Sequence, residues 1–320
     1  MNFNLLIDNL TNPALLFFVL GIIAVYLKSD LEIPANSSKF ISLYLLFAIG
    51  FKGGQELSHE TFTYEIGWSI LFGISISFVI PLYTFFILKR KLNVFDAGAI
   101  AAAYGSVSAV TFVTAVSYLE SQQLIIHGHM VAIMALMESP AIIMGLVLIS
   151  VFSKNDREII RKSTAIKHSF TNGSVLLILG SLVIGYLANA KQAEGIKPFT
   201  NDLFKGFLAI FLLDMGITSG RKLKAFFSYG WFPLVFAILI PLINGCIIAI
   251  FSSLITHDIT NRFMFAILAA SASYIAVPAA VKISVPKADP GLFLPMALAV
   301  TFPINITIGM PIYLLIVRSF

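Results

Sequence analysis

The chain has 320 residues, of which 58% are hydrophobic and only 12% are charged, and its net charge is +5. A soluble globular protein has about 25% charged residues, so this composition excludes a soluble domain. The basic residues lie between apolar segments, so a membrane surface explains the positive charge better than a nucleic acid does. The single cysteine, Cys246, excludes an intrachain disulfide framework and a cysteine-based metal site.

Ten apolar runs of roughly 15–26 residues follow one another along the chain, and a membrane-spanning helix needs about 20 residues. In lipid, only a helix pairs every backbone polar group within its own segment. The runs therefore predict an all-α polytopic membrane protein with about ten transmembrane helices. In the short second run, Gly50, Gly53 and Gly54 predict that the helix bends or ends early. The ten runs cover residues 10–27, 38–52, 66–88, 96–119, 128–152, 171–189, 203–219, 229–254, 261–281 and 292–317.

Lysine and arginine are unevenly distributed between the loops. Fifteen of the 21 basic residues lie in the odd-numbered loops, counted from the loop between the first and second runs. Positively charged loops stay in the cytoplasm, so we expect the odd loops to be cytoplasmic and both termini to lie outside. The predicted location is the inner (plasma) membrane, with multiple crossings. The first ten residues lack Lys and Arg, so we expect the first run to be a retained helix rather than a signal peptide.

The two halves of the chain share a pattern whose matching positions lie roughly 160–166 residues apart. Because five helices per half is an odd number, the second half must cross the membrane in the opposite sense, which is an inverted repeat. We predict a first five-helix repeat at 1–152, a cytoplasmic linker at 153–170 and a second, inverted repeat at 171–320. The matched positions are 48–54 with 214–220, Pro81 with Pro241, 105–108 with 270–273, and 138–140 with 301–303.

Small and hydroxyl-bearing residues occupy the middle of the fourth and ninth runs, where a lipid-facing helix would carry large apolar residues. One interpretation is close helix packing through small residues. The other is a pair of broken helices that face each other and bind a small anion through free N–H groups and hydroxyls. Pro278 supports a break, because it lacks an N–H and disfavours helix at Val277. The candidate substrate-binding residues are Gly105, Ser106, Ser108, Thr111, Ala270, Ser271, Ser273 and Tyr274.

Two carboxylates lie inside the apolar runs, Glu138 in the fifth and Asp214 in the seventh. A charge at the bilayer centre costs about 2.5–3.5 kcal/mol on insertion scales, so each is expected to face the protein interior with a partner. That partner is either a bound cation or a structural contact. Carboxylates, hydroxyls and freed carbonyls suit sodium, by analogy with other hard cations. The candidate cation-binding residues are Asp214, Glu138, Ser108 and Ser273.

Other polar residues carry weaker signals. His127 and His129 are spaced like a metal pair, but no third ligand lies nearby in the sequence, so we do not expect a metal site. Lys52 could meet an anion, although an interfacial lysine that extends its amine toward water is the better explanation. The chain lacks the HExxH and GxSxG motifs, so we expect neither an enzyme nor a cofactor.

The segments that carry these signals resemble the cyanobacterial-type sodium-dependent bicarbonate transporter family, and the stretch Ser273–Pro278 is the most specific match. The resemblance covers nearly the whole chain. It implies ten helices in two inverted halves, a core domain that moves against a gate domain, a homotrimer, and sodium-coupled uptake of bicarbonate through a site built by both hydroxyl-rich segments. The matching segments are Gly50–Gly54, Gly105–Thr111, residues 138–140, Asp214–Gly220, Ser271–Pro278 and Pro286–Pro290.

Two features depart from the family pattern. The family has Asp where this chain has Glu138, which keeps the charge but lengthens the side chain. The central loop, in the region that meets a PII-like regulatory protein in the family, is short here.

The expected mechanism is symport, in which sodium binds first beside Asp214 and neutralises it, so that the site then attracts bicarbonate. The alternatives are transport or channel-like passage of another small anion, and a sodium- or proton-coupled exchanger of the same build.

Overall fold

The structure, a computed structural model, describes residues 11–153 and 173–320. Within these two ranges the chain forms helices joined by turns, and no strand occurs. Apart from Ser153, the predicted linker at 153–170 lies outside the described residues. The first helices are α1 (Pro13–Tyr26), α2 (Ala35–His59), α3 (Tyr64–Leu88), α4 (Val94–Gly105), α5 (Ala109–Ser121) and α6 (Gly128–Phe152).

The second half begins with α7 (Gly173–Leu187), followed by a short helix, α8 (Ala190–Lys197), which continues through a π-helical turn (Pro198–Asp202) into α9. The last helix, α13 (Pro290–Ser319), contains π-helical turns at Met296–Thr301 and Asn305–Gly309. The helices between them are α9 (Phe204–Phe226), α10 (Trp231–Phe251), α11 (Ile259–Ala270) and α12 (Ala276–Ser284).

Six helical segments of the described residues are long and apolar enough to cross a membrane. Three shorter apolar helices, α1, α7 and α11, lie beside them. α2 has 25 residues but is less apolar, since it carries Lys52, Gln55 and Glu56. Large apolar side chains lie exposed on the outer helices, as expected for a surface that faces lipid. The six segments are Tyr64–Leu88, Val94–Ser121, Gly128–Phe152, Ala190–Leu223, Trp231–Leu254 and Pro290–Ser319.

The helices pack as two groups. α2 packs along α7, and α1 packs along α9, and these four helices form what we call the four-helix group. All remaining helices except the short α8, namely α3–α6 and α10–α13, form the large group. Each pair in the four-helix group joins one helix from each half of the chain, so neither half folds apart from the other.

Glycines allow the close approach inside both pairs of the four-helix group. A Cβ at Gly54 would overlap the carbonyl oxygen of Leu182, and one at Gly185 would overlap that of Phe51. In the other pair, Gly21 and Gly216 meet the partner helix backbone in the same way. The prediction that the second helix ends early is therefore wrong, because α2 continues to His59 and uses its glycines for helix–helix contact.

Two interrupted helices lie at the centre of the large group. α4 and α11 have 12 residues each, and almost all of these are buried. Each begins at a side-chain cap, with Asn93 accepting from the Asp96 N–H at 2.9 Å and Asp258 accepting from the Asn261 N–H at 2.8 Å. Each ends at an extended serine, Ser106 or Ser271, before the chain turns into a second helix.

Candidate ion-binding site

The two interruptions are bonded directly to each other. The Ser108 N–H donates to the Ser271 Oγ at 3.1 Å, and the Ser273 N–H donates to the Ala103 carbonyl at 2.8 Å. Backbone groups released by each break are thus paired by the other break, as buried polar groups require. The serine-rich segments of the two halves therefore form one structure, which we call the crossing.

Two helices start at the crossing, α5 at Ala109 and α12 at Ala276. The Ser108 Oγ caps α5 by accepting from the Thr111 N–H at 3.1 Å. The Ser273 Oγ lies 3.4 Å from the Val277 N–H, a longer contact at the start of α12. The first N–H groups of a helix lack partners within it and carry partial positive charge, so both starts favour an anion nearby.

A small cavity of about 20 Å³, the crossing cavity, lies where these starts meet. A cavity needs about 10–15 Å³ to hold one water, so this one accommodates a single water-sized species. Sodium is of that size, whereas sodium together with bicarbonate would need more room. The cavity is lined by Leu46 of α2, by Val107, Ser108, Ala109 and Glu138, and by Ser273, Tyr274, Ile275 and Ala276.

Glu138 brings the negative charge to the crossing cavity. It lies on α6, two residues before Pro140, which interrupts the helix hydrogen bonding at this level. Glu138, Ser108 and Ser273 line one cavity. Such oxygen donors are the ligands that hard cations prefer. The arrangement can therefore hold a monovalent cation between the two helix starts.

Some hydroxyls at the crossing have capacity for a further ligand. The buried Ser106 Oγ has no hydrogen-bond partner among the described residues. The Tyr274 hydroxyl is directed toward the Ser108 side chain but makes no well-formed hydrogen bond within the same part of the chain. Buried polar atoms are normally hydrogen-bonded, so these two hydroxyls mark a place where a water or a polar ligand fits.

Asp214 lies in a different place, at a larger cavity of about 440 Å³ that we call the Asp214 cavity. Its carboxylate accepts a hydrogen bond from the Ser38 hydroxyl of α2. The Asp214 cavity and the crossing cavity share only Tyr274 and Ile275 in their linings. Of the four predicted cation-binding residues, the structure therefore brings Glu138, Ser108 and Ser273 together and leaves Asp214 apart.

Comparison with known families gives the class of this protein. The family model described as the Na⁺-dependent bicarbonate transporter superfamily matches residues 13–318. The chain belongs to this superfamily. The resemblance noted in the sequence is thereby confirmed, and membership indicates sodium-dependent bicarbonate transport at the level of the superfamily. A comparison with curated proteins found no match.

Several predicted site residues of this superfamily member support the crossing without lining its cavity. Gly105 packs against Pro81, where a Cβ would overlap the proline ring. The Thr111 N–H is occupied by the Ser108 cap. The Ser271 Oγ donates to the Leu268 carbonyl at 3.0 Å, in addition to accepting from Ser108. These residues hold the crossing in shape.

Residues of the last helix support the crossing, although the sequence analysis did not select them. The Ala270 carbonyl, at the end of α11, accepts from the Asn305 Nδ2 at 2.7 Å. The Thr301 hydroxyl lies 2.7 Å from the Tyr104 hydroxyl and donates to the Ala237 carbonyl, which Pro241 leaves without its helical partner. An amide inside an apolar run was the available signal for Asn305.

Two of the weaker candidates have partners that the sequence did not reveal. The Lys52 amine donates to the Glu120 carboxylate of α5, so it is paired and does not simply extend toward water. The His129 Nδ1 lies 2.7 Å from the Glu60 carboxylate. Within the part of the chain that the structure describes, no group of three His, Cys, Asp or Glu residues suits a metal.

Proposed function

We propose that this protein is a secondary active transporter that takes up bicarbonate together with sodium, with the crossing cavity as its ion site. One observation carries the proposal. The helices that follow the two breaks, α5 in the first half and α12 in the second, start at a single cavity whose lining includes the carboxylate residue Glu138. Helix interruptions that meet between repeats are typical binding sites of secondary transporters. Family membership supports the choice of sodium and bicarbonate.

We also propose ten membrane crossings in two inverted repeats, residues 1–152 and 171–320. The matched construction of α4 and α11 supports a repeat, since both are 12-residue helices with a side-chain cap at the start and an extended serine at the end. The exchanged pairs α2–α7 and α1–α9 support it as well. With the positive loops inside, both termini lie outside the inner membrane.

In the proposed mechanism, sodium binds at the crossing cavity beside Glu138, Ser108 and Ser273. Its charge neutralises the carboxylate, and the starts of α5 and α12 then attract a monovalent anion. Bicarbonate without sodium would add a second uncompensated negative charge to that of Glu138 deep in the membrane, which is costly, so the anion moves only after sodium has bound. This requirement would couple the two fluxes.

The Asp214 cavity is proposed to be the path between the crossing and the cytoplasm. It reaches Tyr274 and Ile275 at the crossing, and its other lining residues include Lys39 and Arg221. Lys39 near the start of α2 and Arg221 near the end of α9 lie next to odd-numbered loops, which the charge distribution assigns to the cytoplasm. Asp214 would act at this path, beside the basic residues, instead of in the crossing cavity.

The assembly remains a proposal that rests on the family resemblance. By that resemblance, the protein forms a homotrimer. A PII-like regulatory protein would bind the cytoplasmic face in the family, but the central loop in that region is short in this chain. The linker region 153–170, where such a contact would be sought, lies outside the described residues except for Ser153.

The test is uptake of labelled bicarbonate by the purified protein in liposomes, with and without an inward sodium gradient. Accumulation that depends on the gradient is the expected result. Ser273→Ala should weaken this uptake, and Ser75→Ala should not, because Ser75 is exposed on α3 and its hydroxyl bonds only to Leu71 of its own helix.

Other outcomes would identify the alternatives. Equal uptake with and without the gradient would indicate a channel or uniporter. Uptake driven by a proton gradient alone would indicate a proton-coupled transporter. No bicarbonate uptake, together with sodium-dependent uptake of another small oxyanion, would keep the site and change the substrate.

A further inference from the structure

The two ends of α2 contact the large group in different ways. Near the start of α2, Ser38 borders the Asp214 cavity, whose lining includes residues of both groups. Farther along α2, Lys52 forms an ion pair with the large group, and so does Glu60 just after the helix. The rise of 1.5 Å per residue places Lys52 roughly 20 Å and Glu60 roughly 30 Å from Ser38 along the helix axis, so the charged contacts lie toward the other end of α2 from the Asp214 cavity.

The first charged contact centres on Glu120, at the end of α5. Its carboxylate pairs with Lys52 of α2, and its second oxygen lies 3.8 Å from the Lys205 amine of α9. Both lysines belong to the four-helix group, and Glu120 belongs to the large group. The three side chains line a cavity of about 210 Å³, and Ala48 lies at its wall. An anionic group of one helix group is thus held by two cations of the other.

The second charged contact centres on Glu60, just after α2. One carboxylate oxygen lies 2.7 Å from the His129 Nδ1, and the other accepts from the Gly128 N–H at 2.7 Å. His127 lies between Glu60, at 3.6 Å, and Asp258 at the start of α11, at 3.5 Å. Since Gly128, His127 and His129 are at the start of α6, this contact also joins the two groups.

We propose that these ion pairs form a gate that holds this face closed, and that His127 makes its opening depend on the pH at this face. The proposal rests on the proposed function only in assuming that the two groups move relative to each other. A transporter must open its two faces alternately. At one face the Asp214 cavity lies between the two groups, and at the opposite face ion pairs join them. With the orientation proposed above, the gate faces the outside.

The direction of the pH effect follows from the charges around His127. Hydrogen bonds to Asp258 and Glu60 raise the pKa of His127 to about 10. Burial acts to raise the pKa of Glu60, but the bonds from His127 and His129 outweigh it and lower the pKa to about 2. Burial likewise opposes the effect of His127 on Asp258, whose pKa is nevertheless lowered. Among the described residues, the titratable groups that contact His127 are Glu60, Asp258 and the stacked ring of His129.

When the gate opens, His127 loses Glu60 but keeps Asp258, which also belongs to the large group, so its pKa falls from about 10 only part of the way toward its ordinary value of 6.5. The stabilisation of the closed gate by His127 is therefore complete below the pKa that His127 has in the open gate, and it is lost as the pH rises toward 10. Glu60 contributes above its ordinary pKa of 4.5, and that contribution is lost as the pH falls toward 2. The gate is thus expected to open more readily as the pH rises from neutral to alkaline.

The experiment measures access from outside in the full-length protein, without any transported ion. Ala48→Cys in a Cys246→Ala background places one thiol at the wall of the Glu120 cavity, where Ala48 is 1% exposed. Ser58→Cys in the same background is the matched control, because Ser58 is exposed on the same end of α2. The measured quantity is the labelling rate of Ala48→Cys by a membrane-impermeant thiol reagent, divided by the labelling rate of Ser58→Cys. This ratio corrects for the pH dependence of the thiol itself.

We expect this ratio to rise about tenfold between roughly pH 6 and pH 9, less than the full effect of the pKa change, because His127 is 43% exposed and its charge is screened. His127→Gln should make the ratio high and nearly independent of pH. Lys52→Gln should raise the ratio at every pH, and Lys205→Gln should raise it less, since Lys205 is more distant from Glu120.

A ratio that does not change with pH and is the same in His127→Gln and Lys52→Gln would overturn the gate. A labelling ratio that depends on pH, in a protein that transports no bicarbonate, would support the gate and contradict the proposed function. Bicarbonate transport with a labelling ratio that does not depend on pH would support the proposed function and contradict the gate.

Discussion

The two interrupted helices begin alike and differ where they break. α4 and α11 have the same length, the same kind of cap and the same final serine. The first break covers Ser106–Ser108, and α5 then starts from a well-formed serine cap at 3.1 Å. The second break covers Ser271–Ile275, and its serine contact to α12 is longer, at 3.4 Å.

The longer break has a specific position. Its last two residues, Tyr274 and Ile275, border both the crossing cavity and the Asp214 cavity. Ile275 is 41% exposed, whereas the residues of the first break are buried. Pro278 follows in the first turn of α12, where its missing N–H has no helical partner to lose. The first break is therefore buried and capped, whereas the second forms the wall between the crossing cavity and the Asp214 cavity.

The largest effect is expected from removing the charge of Glu138, which lines the cavity that both halves of the chain form. Glu138→Gln should abolish sodium-dependent bicarbonate uptake, because the crossing cavity then lacks the carboxylate that attracts the cation. Glu138→Asp keeps the charge and should retain the sodium dependence with a weaker apparent affinity for sodium. Uptake at varied sodium concentration measures both. Normal sodium dependence in Glu138→Gln would remove the carboxylate from the site.

The next effect separates the two breaks. Ser108→Ala removes both a ligand and the cap of α5, so it should weaken uptake and also cost about 1 kcal/mol of stability. Ser273→Ala removes a ligand with a weaker structural contact, so it should raise the KM for bicarbonate about tenfold with little change in Tm. Thermal unfolding in detergent and uptake kinetics measure the two properties, with Ser75→Ala as control. Equal losses of Tm in both serine variants would contradict the difference between the breaks.

The smallest effect tests the separation of the two cavities. Asp214→Asn should leave the crossing cavity intact. Asp214 contacts Ser38 and does not line the cavity that Glu138 lines. We expect uptake to fall only about two- to fivefold, with unchanged sodium affinity, in keeping with the loss of one polar interaction. Loss of sodium dependence in Asp214→Asn would restore this residue as a cation ligand and contradict the assignment to Glu138.

The sequence revealed the crossing because its signals are local. Ser106, Ser108, Ser271 and Ser273 replace large apolar residues at matched positions, and this pattern is visible without a structure. Pro278 pointed to a break for the same reason, since proline acts on its own helix. The approximate bounds of the apolar helices followed from run length alone.

Other features depend on contacts between distant parts of the chain. Nothing beside Asp214 in the sequence shows that Ser38 is its partner. Nothing in the sequence shows that Glu138, and not Asp214, lines a cavity together with Ser108 and Ser273. The glycines of α2 suggested a break but fit against α7, because a glycine alone does not distinguish a bend from close packing. The pairing of Lys52 with Glu120 joins residues on different helices and could not be predicted from either position.

The most direct test of the crossing as one ion site is the stabilisation of the purified protein by sodium. A ligand that binds only the folded protein stabilises it by about 2.7 kcal/mol at 100 times its Kd, so sodium should raise the Tm of the wild type relative to an equal concentration of a large organic cation. We expect Glu138→Gln, Ser108→Ala and Ser273→Ala each to lose most of this sodium-specific shift, while Ser75→Ala and Asp214→Asn keep it. A full shift in Glu138→Gln, or its loss in Asp214→Asn alone, would contradict a cation site at the crossing.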